Sequence, residues 1–436
     1  MKRIAIVAMV FACVAWAGAA NAAKNYTGWK AEVEKKLATG DFAGAMTQLK
    51  AVEAGGDALD ADYWFLLGKA ESSMGNIDKA LANLDKALAL EPKFAEALGH
   101  KSIVLLQKGQ PKDAETVATQ AISAEASGEL YYARGAIRMA QGRFDDAIAD
   151  LDAAIGMEPK NTEYFIARGE VRLRLGRFAE AERDYQKAIE LDPNSAKAYL
   201  GRGGVYLMQE RSGEARTDLD RCVMLAPKFS SCYIRRGKLF QLQGDLDRAV
   251  SDFAKGTEYA PASEEAWFER TMAELQDNRF ADAETSARAL LKVRDGAKSR
   301  KVLGMVLTAR GKKDEAVAEF GKAIAMEPKD YESLYMRGNA YALQDDLDAA
   351  LADFNKAIEV EKRYIEPYIA KASVFMARKD PEKALAVYAE AIAVSPKNPN
   401  LYEMRSKVYE AMGRLDESYA DLKKSKELAA QWRNQQ

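Results

Sequence analysis

The sequence predicts an all-α protein, a superhelical solenoid of about twelve helical hairpins, and two observations carry this prediction. Similar segments recur after 34 residues, as Gly142-Arg143-Phe144 does at Gly176. Seven of the 11 prolines stand near the end of a repeat, where proline stops a helix. A repeat of this length holds two helices and a turn, and stacking such hairpins buries one continuous core.

Laid out at this period, the chain holds twelve repeats that fill residues 26–432. Small residues recur at two places in the repeat. Position 8, in the first helix, is glycine in seven repeats, for example at Gly169. Position 20, in the second helix, is alanine in all repeats except the last, for example at Ala181. Because helices approach closely only where side chains are small, we expect positions 8 and 20 to touch within each hairpin.

The repeat resembles the tetratricopeptide repeat, on the strength of Trp64, Gly68, Ala80, Ala87 and Pro92 and their equivalents along nearly the whole chain. The resemblance implies a right-handed superhelix whose first helices line a concave groove that binds other proteins. It is specific for fold and says little about the partner.

The predicted organisation is a signal peptide at 1–22, repeats one to seven at 23–263, a degenerate eighth repeat at 264–296, and repeats nine to twelve at 297–436. The eighth repeat has Thr271, Leu290 and Asp295 where most of the others have small residues or proline. The last repeat is predicted to end in a long capping helix, with an apolar face formed by residues that include Leu415 and Tyr419.

The first 22 residues have the features of a cleavable signal peptide: a basic start, an uncharged stretch over 4–20, and small residues before cleavage after Ala22. An uncleaved inner-membrane anchor and a lipoprotein modified at Cys13 are the alternatives. The apolar run is short for a membrane span, and Cys13 lies inside it. The segment resembles a bacterial signal, so we expect a periplasmic or secreted protein with no further membrane span.

Composition excludes several function classes. Sixty-four basic and 66 acidic residues balance, which argues against nucleic acid as the main partner. His100 is the only histidine, which excludes a multi-histidine metal site and argues against a histidine-based triad. No phosphate-binding or nucleophile motif appears, and we expect no cofactor, no metal and no enzymatic activity.

A charge pair recurs between the two helices of a hairpin. Where position 7 is arginine, position 23 is aspartate in six repeats, which predicts a bidentate salt bridge inside each of these hairpins. An arginine ladder for an anionic ligand is the alternative. The pairs are Arg134 with Asp150, Arg168 with Asp184, Arg202 with Asp218, Arg236 with Asp252, Arg337 with Asp353, and Arg405 with Asp421.

The groove-lining positions implied by the resemblance are largely apolar, and methionines among them suit an adaptable binding surface. We expect either an apolar groove for an extended or helical partner segment, or side chains that pack sideways on neighbouring first helices. The residues are Phe65, Tyr132, Met139, Ile166, Leu200, Met208, Ile234, Phe268, Met272, Met305, Tyr335 and Ile369.

Two smaller features stand out. A basic run at the end of the eighth repeat is either an acidic-partner or anionic-lipid site or an ordinary solvated surface: Lys292, Arg294, Lys298, Arg300 and Lys301. Cys222 and Cys232 flank one junction between repeats and are either a disulfide or two buried thiols.

The favoured function is a scaffold or adaptor for other envelope proteins. The alternatives are a regulatory or assembly subunit of an envelope enzyme or of a polysaccharide, pilus or secretion machine, and a purely structural spacer. A polar groove would favour the spacer.

Overall fold

A computed structural model describes residues 28–55 and 59–433. Throughout these ranges the ordered elements are α-helices, 24 in number and without a strand. Two consecutive helices form each hairpin, so hairpins 1 to 12 follow one another along the chain. The predicted signal peptide lies outside the described residues.

The chain divides into two compact units, unit 1 up to Pro227 and unit 2 from Lys228. Each unit contains six hairpins within the described ranges. No helix in these ranges combines the length and the apolar character that crossing a membrane requires.

Unit 1 holds hairpins 1 to 6. Its first helices are α1 (Trp29–Ala38), α3 (Ala61–Ser73), α5 (Ala95–Gln107), α7 (Gly128–Ala140), α9 (Thr162–Arg174) and α11 (Ala196–Met208). Its second helices are α2 (Phe42–Ala54), α4 (Ile77–Leu90), α6 (Pro111–Ala124), α8 (Phe144–Met157), α10 (Phe178–Leu191) and α12 (Ser212–Leu225).

Unit 2 holds hairpins 7 to 12. Its first helices are α13 (Ser230–Leu242), α15 (Glu264–Gln276), α17 (Ala297–Ala309), α19 (Tyr331–Leu343), α21 (Glu366–Ala377) and α23 (Pro399–Ala411). Its second helices are α14 (Leu246–Tyr259), α16 (Phe280–Val293), α18 (Lys313–Met326), α20 (Leu347–Val360), α22 (Pro381–Val394) and α24 (Leu415–Arg433).

The turn inside each hairpin is a helix C-cap in the left-handed region. After α9, Gly176 has φ 72°, its N–H donates to Leu173, and the Arg177 N–H donates to Arg172 at 2.9 Å. This is a Schellman motif, which satisfies the last carbonyls of the helix. Four hairpins use a non-glycine residue at the same place, among them Lys379 with φ 56°. The repeat therefore fixes the turn geometry even where the residue does not favour it.

The core of each hairpin depends on the glycine at position 8. At Gly338, an added Cβ would lie 2.6 Å from the ring of Phe354, which is at position 24. In hairpin 4 an added Cβ at Gly135 would lie 3.3 Å from the carbonyl oxygen of Ala147, at position 20. The glycine thus makes room chiefly for the large side chain at position 24, and the alanine at position 20 completes the close approach.

The first helices of each unit share one face. Consecutive first helices approach each other more closely than consecutive second helices do, so the first helices lie on the inner side of the curved stack within each unit. The pair α7 and α9 is the one exception among the first helices of unit 1, with a wider spacing.

The last helix, α24, has 19 residues and is the longest of the described helices. Leu428 is buried, whereas Leu415 and Tyr419 of the predicted apolar face are 66% and 72% exposed. Their positions are covered by a following hairpin elsewhere in the stack, for example at Leu385. The end of unit 2 therefore carries an apolar surface rather than a polar one.

Candidate functional site

All six predicted arginine–aspartate pairs form a salt bridge within their own hairpin. In hairpin 6 the Arg202 Nε and Nη2 donate to the two carboxylate oxygens of Asp218 at 2.7 and 2.8 Å. This hydrogen bonding to Asp218 raises the pKa of Arg202. The same two-pronged geometry joins Arg134, Arg168, Arg236, Arg337 and Arg405 to their aspartates.

Aromatic rings cover these guanidinium groups. Arg202 lies 5.8 Å from the ring centroids of both Tyr199 and Tyr206, within range of a cation–π interaction. Arg405 has the same arrangement between Tyr402 and Tyr409. The aspartates are 3–7% exposed. Because the pairs are satisfied and covered, they do not form a ladder open to an anionic ligand.

Sequence reasoning missed a second arginine in two hairpins. Arg138 donates to Asp150 at 2.9 Å, and Arg172 donates to Asp184 at 2.7 Å. Each lies one helical turn after the position-7 arginine, and this spacing is the signal that could have found it. These two aspartates therefore bind two cations each.

Hairpin 8 replaces this arrangement. Its position-23 residue is Ser286, and Arg270 instead bonds Glu274 in the same helix at 2.7 Å. Arg270 also donates to Thr257 of the preceding helix at 3.1 Å. The irregular repeat is a hairpin of ordinary shape, α15 and α16, with a different internal charge pair.

The predicted groove residues fall into two classes. Phe65, Tyr132, Ile166 and Ile234 are 3–8% exposed, because they pack sideways on the next first helix. The rings of Phe65 and His100, the latter in α5, lie 6.2 Å apart edge to face, for example. The second class consists of one exposed residue, Met208, and seven half-buried residues. The half-buried residues are Met139, Leu200, Phe268, Met272, Met305, Tyr335 and Ile369.

Exposed apolar side chains lie at the ends of helices, both of second helices, for example Leu90 and Met157, and of first helices. Met208, the last residue of α11 in unit 1, is 64% exposed. In unit 2, Leu242 ends α13 and Leu343 ends α19, with 76% and 52% exposure. These three positions are equivalent in the repeat. They provide apolar surface on the first-helix side without disturbing the core.

The basic run in unit 2 is largely neutralised. Arg294 pairs with Glu264 at 2.9 Å, and Lys298 lies 3.6 Å above the ring of Phe268. Two acidic side chains hold Arg300 and two hold Lys301, at distances of 2.5–3.3 Å. Lys292 is exposed. Because acidic side chains already pair with most of these basic residues, the run favours an ordinary solvated surface over an anion-binding site.

His100 is a half-buried residue of unit 1. It hydrogen-bonds Ser72 at 2.8 Å and contacts the ring of Phe65 edge-on. Burial, with the nearby charge of Lys69, lowers its pKa to about 3, so it is neutral at physiological pH. No group of three or more acidic, histidine or cysteine side chains in the described ranges is arranged to hold a metal ion.

Cys222 lies in α12 of unit 1 and Cys232 in α13 of unit 2, and both are buried. Their pairing stays a prediction. Intact mass after alkylation, with and without prior reduction, tests it.

The architecture is that of a helical-repeat protein, and comparison with known proteins specifies the kind of repeat. One tetratricopeptide-repeat model matches residues 132–196, 166–227, 234–299 and 302–363, together just over half of the chain. Further models of the same repeat match residues 71–137 and 399–431. The chain therefore belongs to the tetratricopeptide-repeat family.

Solved structures with a similar chain fold share little sequence with it. The APC/C hetero-tetramer Cut9–Hcn1 matches at 17% identity and a TM-score of 0.47, covering 87% of this chain and 83% of that one. Yeast Tom70 matches at 16% identity and a TM-score of 0.42, covering 93% and 96%. The comparison with curated proteins found no significant match.

Proposed function

We propose that this protein is a non-enzymatic scaffold of the bacterial cell envelope, which holds a segment of a partner protein along its first helices. The observation that carries the proposal is that hairpins account for the described chain from α1 to α24. Solenoids of this kind present extended surfaces for other proteins. The predicted signal peptide supports the envelope location.

The contact surface is expected to centre on the exposed ends of the first helices. Position-5 residues such as Phe65 are already covered, whereas Met208 and Leu343 offer apolar side chains to a partner. Apolar side chains of this kind are common at adaptable binding surfaces.

Site-specific photo-cross-linking in cells tests the proposal. A photoreactive amino acid at Met208 or Leu343 is expected to capture a defined envelope protein, whereas one at Lys187, exposed on the second-helix side, captures none. Met208→Glu and Leu343→Glu should lower capture while leaving the helical content unchanged, because both residues are exposed. Equal capture from both sides contradicts the proposal.

The same experiment separates the alternatives. Capture of a synthase or of an export component favours the regulatory or assembly subunit. Mass spectrometry of the mature N-terminus, expected after Ala22, and fractionation of the periplasm test the location.

A further inference from the structure

Four consecutive hairpins of unit 1 carry an acidic residue at position 2 of the first helix, and these residues differ in their partners. Asp62 binds Lys30 at 2.8 Å, and Glu163 binds Lys197 at 3.1 Å. Among the described residues, no cation lies within salt-bridge distance of Glu96 or Glu129. The two ends of the row are neutralised, and its centre is not.

A second carboxylate lies beside Glu129. Glu158 precedes α9, and its charge reaches both Glu129 and the hydroxyl of Tyr164. An added Cβ on Gly128 would lie 2.5 Å from Glu158 Oε1 and 3.0 Å from the Tyr164 hydroxyl. These polar atoms therefore lie over the first turn of α7, where the glycine makes room for them.

The Tyr164 hydroxyl points into this acidic cluster and has no well-formed partner. Tyr164 is 1% exposed, and its oxygen makes no hydrogen bond of good geometry to Glu158 or Asn161 beside it. A buried polar group without a partner costs free energy, so its presence points to a missing ligand.

The charge of the cluster is uncompensated. Burial, with the Glu158 carboxylate second, raises the pKa of Glu129 to about 7. Lys69 lowers this pKa and Glu96 raises it, but the Lys69 ammonium bonds Glu34 at 3.0 Å. A further cation placed between Glu129 and Glu158 would supply the missing charge.

We propose that Glu129, Glu158 and Tyr164 form a receptor for one cationic side chain, a lysine or an arginine, on the partner segment that lies along the first helices of unit 1. This inference deepens the proposed function and rests on it. A lysine ammonium has three donors, which match two carboxylates and one phenolic oxygen. The buried rings of Tyr132 and Tyr164, 5.4 Å apart, form an apolar floor at the same place.

Two labelled pentapeptides test the receptor on the full chain: one with lysine between two leucines, and the same peptide with norleucine instead. Fluorescence anisotropy should show the lysine peptide binding at least about tenfold more tightly, the effect of about 1.4 kcal/mol. The preference for the lysine peptide should grow from pH 6 to pH 8 because Glu129 ionises over this range. The titratable groups that face Glu129 are Glu158, Glu96, Lys69 and Tyr164.

The variant Glu129→Gln with Glu158→Gln should bind both peptides within about twofold. The matched control is Glu163→Gln, at the equivalent position of the next hairpin, which should keep the preference because its carboxylate already binds Lys197. Far-ultraviolet circular dichroism reports whether each variant is folded.

Three results would overturn the inference. The first is that the wild-type protein shows no preference for the lysine peptide, which includes the case that neither peptide binds detectably. The second is a lysine preference that survives in the variant Glu129→Gln with Glu158→Gln, and the third is a lysine preference that does not change between pH 6 and pH 8. Continued cross-linking of the partner at Met208 in that variant would leave the scaffold function standing and remove only the cation receptor. Loss of all cross-linking in the wild type would remove the scaffold function itself.

Discussion

Replacing Asp184 by asparagine is expected to loosen hairpin 5 while leaving distant hairpins unchanged. Asp184 is 3% exposed and accepts from Arg168 at 2.6 and 3.1 Å and from Arg172 at 2.7 Å. The asparagine amide has one acceptor oxygen and adds donors, so two partly buried guanidinium groups lose their shared counter-ion. The hairpin then holds uncompensated positive charge.

The size of the effect follows from the burial of the pair. Breaking a buried ion pair costs about 3–5 kcal/mol. Arg168 keeps a contact with Asp152 at 2.5 Å, so the lower end of this range applies. About 3 kcal/mol corresponds to roughly a 150-fold rise in the local opening equilibrium.

Hydrogen exchange on the full chain measures this local change, because amides in a repeat protein exchange through local opening. Peptides from α9 and α10 should exchange roughly 100-fold faster in Asp184→Asn. The control is Glu190→Gln on α10, whose exposed pair with Lys187 should leave exchange unchanged. A rise of less than about threefold in α9 and α10 would refute the stabilising role of the aspartate.

A paired substitution separates the penalty of breaking the bridge from its net contribution. Hairpin 2 has Leu67 and Asn83 where hairpin 10 has Arg337 and Asp353. Changing hairpin 10 to the residues of hairpin 2 should cost less than Asp353→Asn alone, because no unpaired arginine remains. A double variant at least as unstable as the single variant would show that the bridge itself adds net stability.

Three further predictions concern hydrogen exchange and thermal unfolding. Glu129→Gln should raise Tm at pH 8 and leave it unchanged at pH 4. The pKa of the Glu129 carboxyl is raised from 4.5 to about 7 in the folded protein, so the folded state loses stability relative to the unfolded state as the pH rises through this window. The loss in the free energy of unfolding is at most about 3 kcal/mol, and about 1–2 kcal/mol after solvent screening. Gly338→Ala should destabilise hairpin 10 by about 1–3 kcal/mol, because the added methyl group clashes with Phe354. The control Gly156→Ala, where nothing lies near the added methyl group, should stabilise α8 by about 0.5 kcal/mol. Equal effects of the two substitutions would contradict the packing argument. Lys379→Gly should stabilise hairpin 11 by about 1 kcal/mol, since φ is 56° there, and slower exchange of α21 and α22 is the expected readout.

The repeat period predicted the hairpins because the same close contact between two helices recurs in most hairpins along the chain. Glycine at position 8 recurs since the large residue at position 24 lies against it, and the sequence shows the recurrence without showing which neighbour causes it. The six arginine–aspartate pairs followed from co-occurrence, because both members lie in one hairpin, 16 residues apart.

The candidate binding surface was harder to predict, because it depends on the spacing between hairpins. Phe65 and Tyr132 occupy positions that face a groove in the family, but side chains of the next hairpin, His100 and Tyr164, contact their rings and cover them. The basic run shows the same dependence on neighbouring hairpins. Arg294 and Lys301 find their partners 30 and 31 residues away, at nearly one repeat.

Ion pairs separated by about one repeat join equivalent faces of adjacent hairpins. Lys69 with Glu34 and Lys197 with Glu163 show the same separation, 35 and 34 residues. In such an array an ordinary charge has a neighbour of opposite sign one period away. Glu129 departs from this pattern, since the residues one repeat before and after it, Glu96 and Glu163, are also acidic. Glu96 is flanked in the same way by Asp62 and Glu129, so the stack leaves both positions uncompensated, and a cation on the partner is the compensation that we propose for Glu129.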